Sequence, residues 1–118
     1  MTPRRALALL AVTVVSASIA AVAPSALARN QAKATVTATD FKFKFVPARV
    51  TAGVATFTVV NKGGATHDLR IAGKKTKLLN PGQRTVLKVT LRKGKRYPYL
   101  CTVPGHAALG MKGTLVVR

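Results

Sequence analysis

From residue 33 onward, apolar and polar positions alternate with a period of two. "KATVTAT" (33–39) and "FKFKF" (41–45) both show it, and the second places Phe41, Phe43 and Phe45 on one face. Further strands are predicted at 55–61 ("ATFTVVN"), 67–71 ("HDLRI"), 84–91 ("RTVLKVTL", with Leu87, Val89 and Leu91 on one side) and 113–118 ("GTLVVR"). A strand over 97–101 would turn Tyr97, Tyr99 and Cys101 to a common inner face. Thr and Val dominate these runs, as a pleated, half-buried surface favours. Turn chemistry separates them at Asn61–Gly64, Ala72–Lys75, Asn80–Gly82 and Lys93–Lys95. No helical period, internal repeat or low-complexity linker interrupts the series. The pattern predicts an all-β fold, a two-sheet β-sandwich or barrel, with Arg29–Lys33 as a frayed lead-in.

The first residues break this pattern. Arg4 and Arg5 precede an apolar run from Ala6 to Ala23, Pro24 ends it, and Ala26-Leu27-Ala28 has the small-x-small character of a signal-peptidase site. Residues 1–28 therefore read as a secretory signal peptide cleaved after Ala28, and the residues around the Arg pair fit a twin-arginine signal poorly. The alternative, an uncleaved anchor, is disfavoured because the many Ala, Ser and Thr make the run weakly hydrophobic. Residues 29–118 then make a single domain of 90 residues, without a second apolar span. The expectation is an exported protein, periplasmic or extracellular.

Composition then narrows the chemistry. The full chain carries a formal charge of +18, and residues 29–118 hold 18 Lys and Arg against Asp40 and Asp68. That segment contains no Ser, Glu or Trp, so a serine nucleophile is excluded, and two carboxylates are too few for a paired-acid glycosidase or a calcium cage. No glycine-rich phosphate loop is present. The cations gather at turns, notably Lys74, Lys75 and Lys77, then Arg92, Lys93, Lys95 and Arg96. This can be a solvated surface with charge-protected edges or a field that steers an anionic partner. Nucleic acid is the weaker partner, because the chain is exported and has no nucleic-acid motif.

The His, Cys and Met of residues 29–118 amount to His67, Cys101, His106 and Met111. A lone Cys in a small β domain is more often core filling than ligand. Here the arrangement argues otherwise. Cys101 ends a strand, Thr102–Gly105 can turn back to present His106, and Ala107–Gly110 can return Met111 to the same centre. Three donors thus come from one loop of 11 residues, and His67 could reach them across the domain. Two imidazoles, a thiolate and a weak thioether suit copper in both oxidation states and form the ligand set of a blue-copper electron-transfer site. Zinc gains little from Met and in structural sites prefers more Cys. A Cys/His hydrolase would need an orienting group and an oxyanion hole, and would leave Met111 without a role.

"NKGGATHDL" (61–69) and "YPYLCTVPGHAALGMKGTLVV" (97–117) resemble the cupredoxins, the group that includes plastocyanin, azurin and rusticyanin. The C-x4-H-x4-M spacing followed by G-x-L-x-V is the more specific motif; N-x-G-x-x-x-H supports it. The resemblance implies a Greek-key sandwich holding one copper ion, with His67, Cys101 and His106 equatorial and Met111 axial. It also implies a small electron carrier rather than an enzyme, monomeric, with His106 as the electron port amid Pro104, Gly105, Ala107, Ala108 and Leu109. The family commonly has Asn after the first His; this chain has Asp68, with Thr102 as its expected partner in tying the ligand loops. The redox partner would be an acidic protein or lie at an anionic envelope surface. Two other readings stay open: a copper transport or delivery protein using the same site, and a β-sandwich interaction module with Cys101 as core filling.

Overall fold

The computed structural model describes residues 8–19 and 32–118. The expected signal peptide (1–28), with Arg4, Arg5 and the cleavage point after Ala28, falls largely outside them. Residues 8–19 are exposed and carry no regular secondary structure. Among the described residues no helix is long and apolar enough to cross a membrane.

Among the described residues, eight strands form two sheets. They are β1 (Ala32–Thr39), β2 (Lys42–Val46), β3 (Gly53–Asn61), β4 (Arg70–Ile71), β5 (Lys74–Lys75), β6 (Arg84–Leu91), β7 (Arg96–Leu100) and β8 (Lys112–Val116). One sheet has the order β2-β1-β3-β6, the other β5-β4-β7-β8. β1 and β3 run parallel, with Ala34 beside Phe57 and Ala38 beside Asn61; the other strand pairs are antiparallel. The two sheets are separate, so the sandwich is the architecture and the barrel alternative is set aside.

The period-two reading locates the core. Ala32, Ala34, Val36 and Ala38 of β1 face inward, as do Ala55, Phe57 and Val59 of β3 and Leu87, Val89 and Leu91 of β6. Small side chains on β1 leave room for Phe57, which meets Phe45 edge-on with ring centroids 5.7 Å apart. Tyr97 and Tyr99 close the core from the other sheet. Burial of each large side chain stabilises the domain by roughly 1.5–3 kcal/mol.

Four local expectations change. The lead-in is shorter than 29–33, because Ala32 and Lys33 already pair with Ala55 and Thr56. The strand expected at 67–71 is confined to Arg70–Ile71, and His67 instead forms an isolated bridge with Leu79. The reason lies in Thr76, whose hydroxyl accepts the Leu69 N–H and so replaces a regular ladder. Lys74 and Lys75, expected in a turn, pair back on Ile71 and Arg70 as a short edge strand. Phe41 leaves the strand face it was expected to share, because it sits in the turn before β2; Phe43 and Phe45 continue along it.

β1, β3 and β7 all end at one pole of the sandwich, where β8 begins. Lys62 N–H donates to Ala38 O at 2.8 Å, extending the β1–β3 pairing into the loop that carries His67.

Candidate metal centre

Backbone bonds shape the 101–111 loop before any side chain is considered. His106 N–H donates to Val103 O, Met111 N–H donates to His106 O, and Cys101 N–H donates to Met111 O, each at 3.1 Å. His106 follows Gly105 (φ +84°) and Met111 follows Gly110 (φ +109°). Both are left-handed conformations that glycine adopts without steric cost, so each reversal that returns a donor to the centre is made by a glycine.

His67 is held by a reciprocal pair of backbone bonds with Leu79, at 3.0 and 2.8 Å. The loop before it is organised by Asn61, fully buried, whose amide donates to Ala65 O (2.8 Å) and Leu79 O (2.7 Å) while its oxygen accepts the Gly63 N–H (2.9 Å). The N-x-G-x-x-x-H motif is therefore a loop staple that aims the histidine. Asn61→Ala removes three bonds and takes from the Gly63 N–H and the Ala65 carbonyl the partner that Asn61 gave them, while Leu79 O keeps the His67 N–H; we expect urea denaturation to show a loss of about 1–3 kcal/mol.

These elements bring the ring nitrogens and the sulfur together. His67 Nδ1 lies 3.2 Å from His106 Nδ1 and 4.0 Å from Cys101 Sγ, and His106 Nδ1 lies 3.6 Å from the same sulfur. The point equidistant from the three donors is about 2.1 Å from each, within the range of metal–nitrogen and metal–sulfur bonds. The residues therefore fit a single ion. His67 and Cys101 are buried and His106 is partly exposed. Met111 is fully buried and packs with Cys101 and Ala38 in a small apolar cluster, flanked by Phe41, Phe43 and Val103.

The expected partnership of Asp68 and Thr102 is present. Asp68 Oδ1 accepts the Thr102 N–H at 2.6 Å, and its other oxygen accepts the Thr102 hydroxyl. The residue after His67 is thereby tied to the residue after Cys101. Burial pushes the Cys101 thiol above its ordinary pKa; backbone N–H groups of Asp68 and Val103 pull it partly back, while the Asp68 carboxylate raises it. A neutral thiol is the resting form without a cation, and a bound metal would displace its proton.

Two neighbours were not legible in the sequence. Phe41 stands edge-on to His106, centroids 4.9 Å apart, and at 6.3 Å from His67. Asp40 Oδ1 lies 2.7 Å from His67 Nε2. No spacing rule points to either, since Asp40 is 27 positions upstream of His67 and meets it through the parallel β1–β3 pairing.

A profile of copper-binding proteins, the plastocyanin/azurin family, matches residues 62–118, the segment that supplies His67, Cys101, His106 and Met111. In fold, the dithionite-reduced auracyanin of the photosynthetic bacterium Roseiflexus castenholzii superposes with a TM-score of 0.60 at 21% identity, over 73% of this chain and 96% of that one. The fold is that of a cupredoxin-like domain. Auracyanin B gives a TM-score of 0.60 at 20% identity, over 73% of this chain and 88% of its own. No curated protein matches the sequence. The His67-Cys101-His106-Met111 cluster of the cupredoxin-like domain is consistent with a type-1 copper electron-transfer site, and it can hold one copper ion.

Proposed function

We propose that residues 29–118 form an exported one-electron carrier, released from a signal peptide at 1–28, that binds one copper ion through His67, Cys101, His106 and Met111. The observation that carries this reading is the convergence of two Nδ1 atoms and one Sγ on a point at bonding distance from all three. Bound there, copper would supply Cu(II)/Cu(I) exchange. The chain's own part is to hold thiolate and imidazoles in one arrangement for both oxidation states, so that little moves when an electron passes. Backbone bonds among Cys101, His106 and Met111 do this on one side, and the Asp68–Thr102 link does it on the other. We also read the strand connectivity as Greek-key, in keeping with the cupredoxin-like sandwich.

His106 is the electron port in this reading, since it is the partly exposed imidazole while His67 is buried. Pro104, Gly105, Ala108 and Leu109 around it are exposed and uncharged, Leu109 by 63%. Copper delivery fits less well, because His67, Cys101 and Met111 are enclosed and offer a receiving protein no open thiol or thioether. Cu(II) added to the purified domain should produce an intense thiolate-to-copper absorption at one ion per chain. Stoichiometric binding with no such band overturns the reading.

The partner is an acidic redox protein or one at an anionic surface. Both carboxylates are engaged at the site, Asp40 with His67 and Asp68 with Thr102, so the cations elsewhere on the described surface face no acidic side chain. Reduced protein mixed with an anionic oxidant such as hexacyanoferrate(III) should react about tenfold or more faster at low than at high ionic strength. A rate independent of salt rejects the steering.

A further inference from the structure

The buried imidazole has both nitrogens committed. Nδ1 faces Cys101 and His106, while Nε2 points away from them toward Asp40 Oδ1 at 2.7 Å. An ionised carboxylate accepts and cannot donate, so Nε2 carries the hydrogen and the Nδ1 lone pair is turned to the metal point. Asp40 is itself fixed by the Gly64 N–H on Oδ2 (2.9 Å) and the Ala65 N–H on Oδ1 (3.2 Å). These bonds, led by that of Gly64, hold its carboxyl below the usual carboxylate value. The space is closed to anything larger: a Cβ on Gly63 would collide with Asp40 Oδ1 and come within 2.9 Å of His67 Nε2. A carboxylate in a chain with two acidic residues against twenty basic ones is thus placed behind the buried imidazole, on the side away from the metal.

We propose that Asp40 is a positioning residue of the copper site: its carboxylate sets the His67 tautomer and favours the oxidised ion over the reduced one. The inference rests on the copper reading above. The physical basis is twofold. A carboxylate behind a ligating imidazole locks ring orientation and raises ligand basicity. Its negative charge also favours the more highly charged ion, which lowers the reduction potential.

The test uses Asp40→Asn and Asp40→Ala in the mature chain. Asparagine keeps an acceptor for Nε2–H without the charge; alanine removes both. In the metal-free protein, imidazole nitrogen NMR should show the Nε2–H tautomer of His67 in wild type and Asp40→Asn, and a mixture in Asp40→Ala. Cu(II) affinity should fall roughly 10–100-fold in Asp40→Ala, with a smaller loss for Cu(I). Both variants should have a higher reduction potential than wild type, by about 59 mV for each tenfold selective loss of Cu(II) affinity. Should the alanine protein fail to fold, the potential of Asp40→Asn decides the charge effect. Unchanged tautomer and potential in the variants, even with a lower Tm, would make Asp40 a loop staple and overturn the proposal. A wild-type protein lacking the thiolate band overturns the copper reading instead, and the metal-free tautomer still decides whether Asp40 orients His67.

Discussion

Cys101→Ser should bind copper without the thiolate charge-transfer band and should lose the reversible one-electron couple. Serine removes the soft, polarisable donor and leaves two imidazoles and a buried thioether, a set with no strongly covalent ligand. Cu(II) affinity should drop by more than the roughly 10–100-fold associated with losing a supporting hydrogen bond. The fold should survive. A hydroxyl in place of the buried sulfur, among Ala38, Met111 and Phe41, costs about 1–3 kcal/mol against a domain stability of roughly 5–15 kcal/mol. Circular dichroism should therefore stay that of a β-sandwich while the colour disappears. The pH dependence supplies a second signature. Because burial raises the Cys101 thiol, it is protonated below that raised value and copper must displace the proton. Apparent affinity should therefore rise with pH, by about tenfold per unit from this group. Competition with a chelator across several pH values should show that component in wild type and not in Cys101→Ser.

Asp68→Ala should be the most destabilising change in the polar surroundings of the site, by about 3 kcal/mol. It removes two bonds made by a buried carboxylate and leaves the Thr102 N–H without its acceptor. For a domain of this size the loss corresponds to roughly 12–24 °C in Tm, measured by calorimetry on the metal-free protein. Thr102→Val tests the pairing: a double-mutant cycle should return a coupling energy of about 0.5–3 kcal/mol, and additive effects would refute the link. Asp68→Asn separates charge from geometry. It retains an acceptor for the Thr102 N–H but removes the carboxylate that raises the neighbouring thiol. Cys101 of the metal-free variant should then alkylate faster than wild type at the same pH.

The donors legible from sequence were those brought together by short closures. Cys101, His106 and Met111 lie within 11 residues, and turn residues between them limit how the chain can return. The Asp68–Thr102 pairing was also expected, since each follows a candidate ligand. His67 was placed through its motif, although its strand was not: Leu69 and Ile71 are buried as alternation predicts, but Thr76 and Leu79 take the backbone bonds that a neighbouring strand would have taken. Periodicity reports which side chains face inward and is silent on what their backbones pair with.

The sequence by itself determined the all-β class, the inward faces of β1, β3 and β6, and the identity of the four soft and imidazole donors, because period-two patterning and residue chemistry are local properties. Only the tertiary structure decided how far apart those donors stand, which imidazole is buried, and that Asp40 backs His67. Those facts depend on the pairing of β1 with β3 and on where the ends of three strands meet. Such contacts between distant segments leave no spacing in the chain to be read.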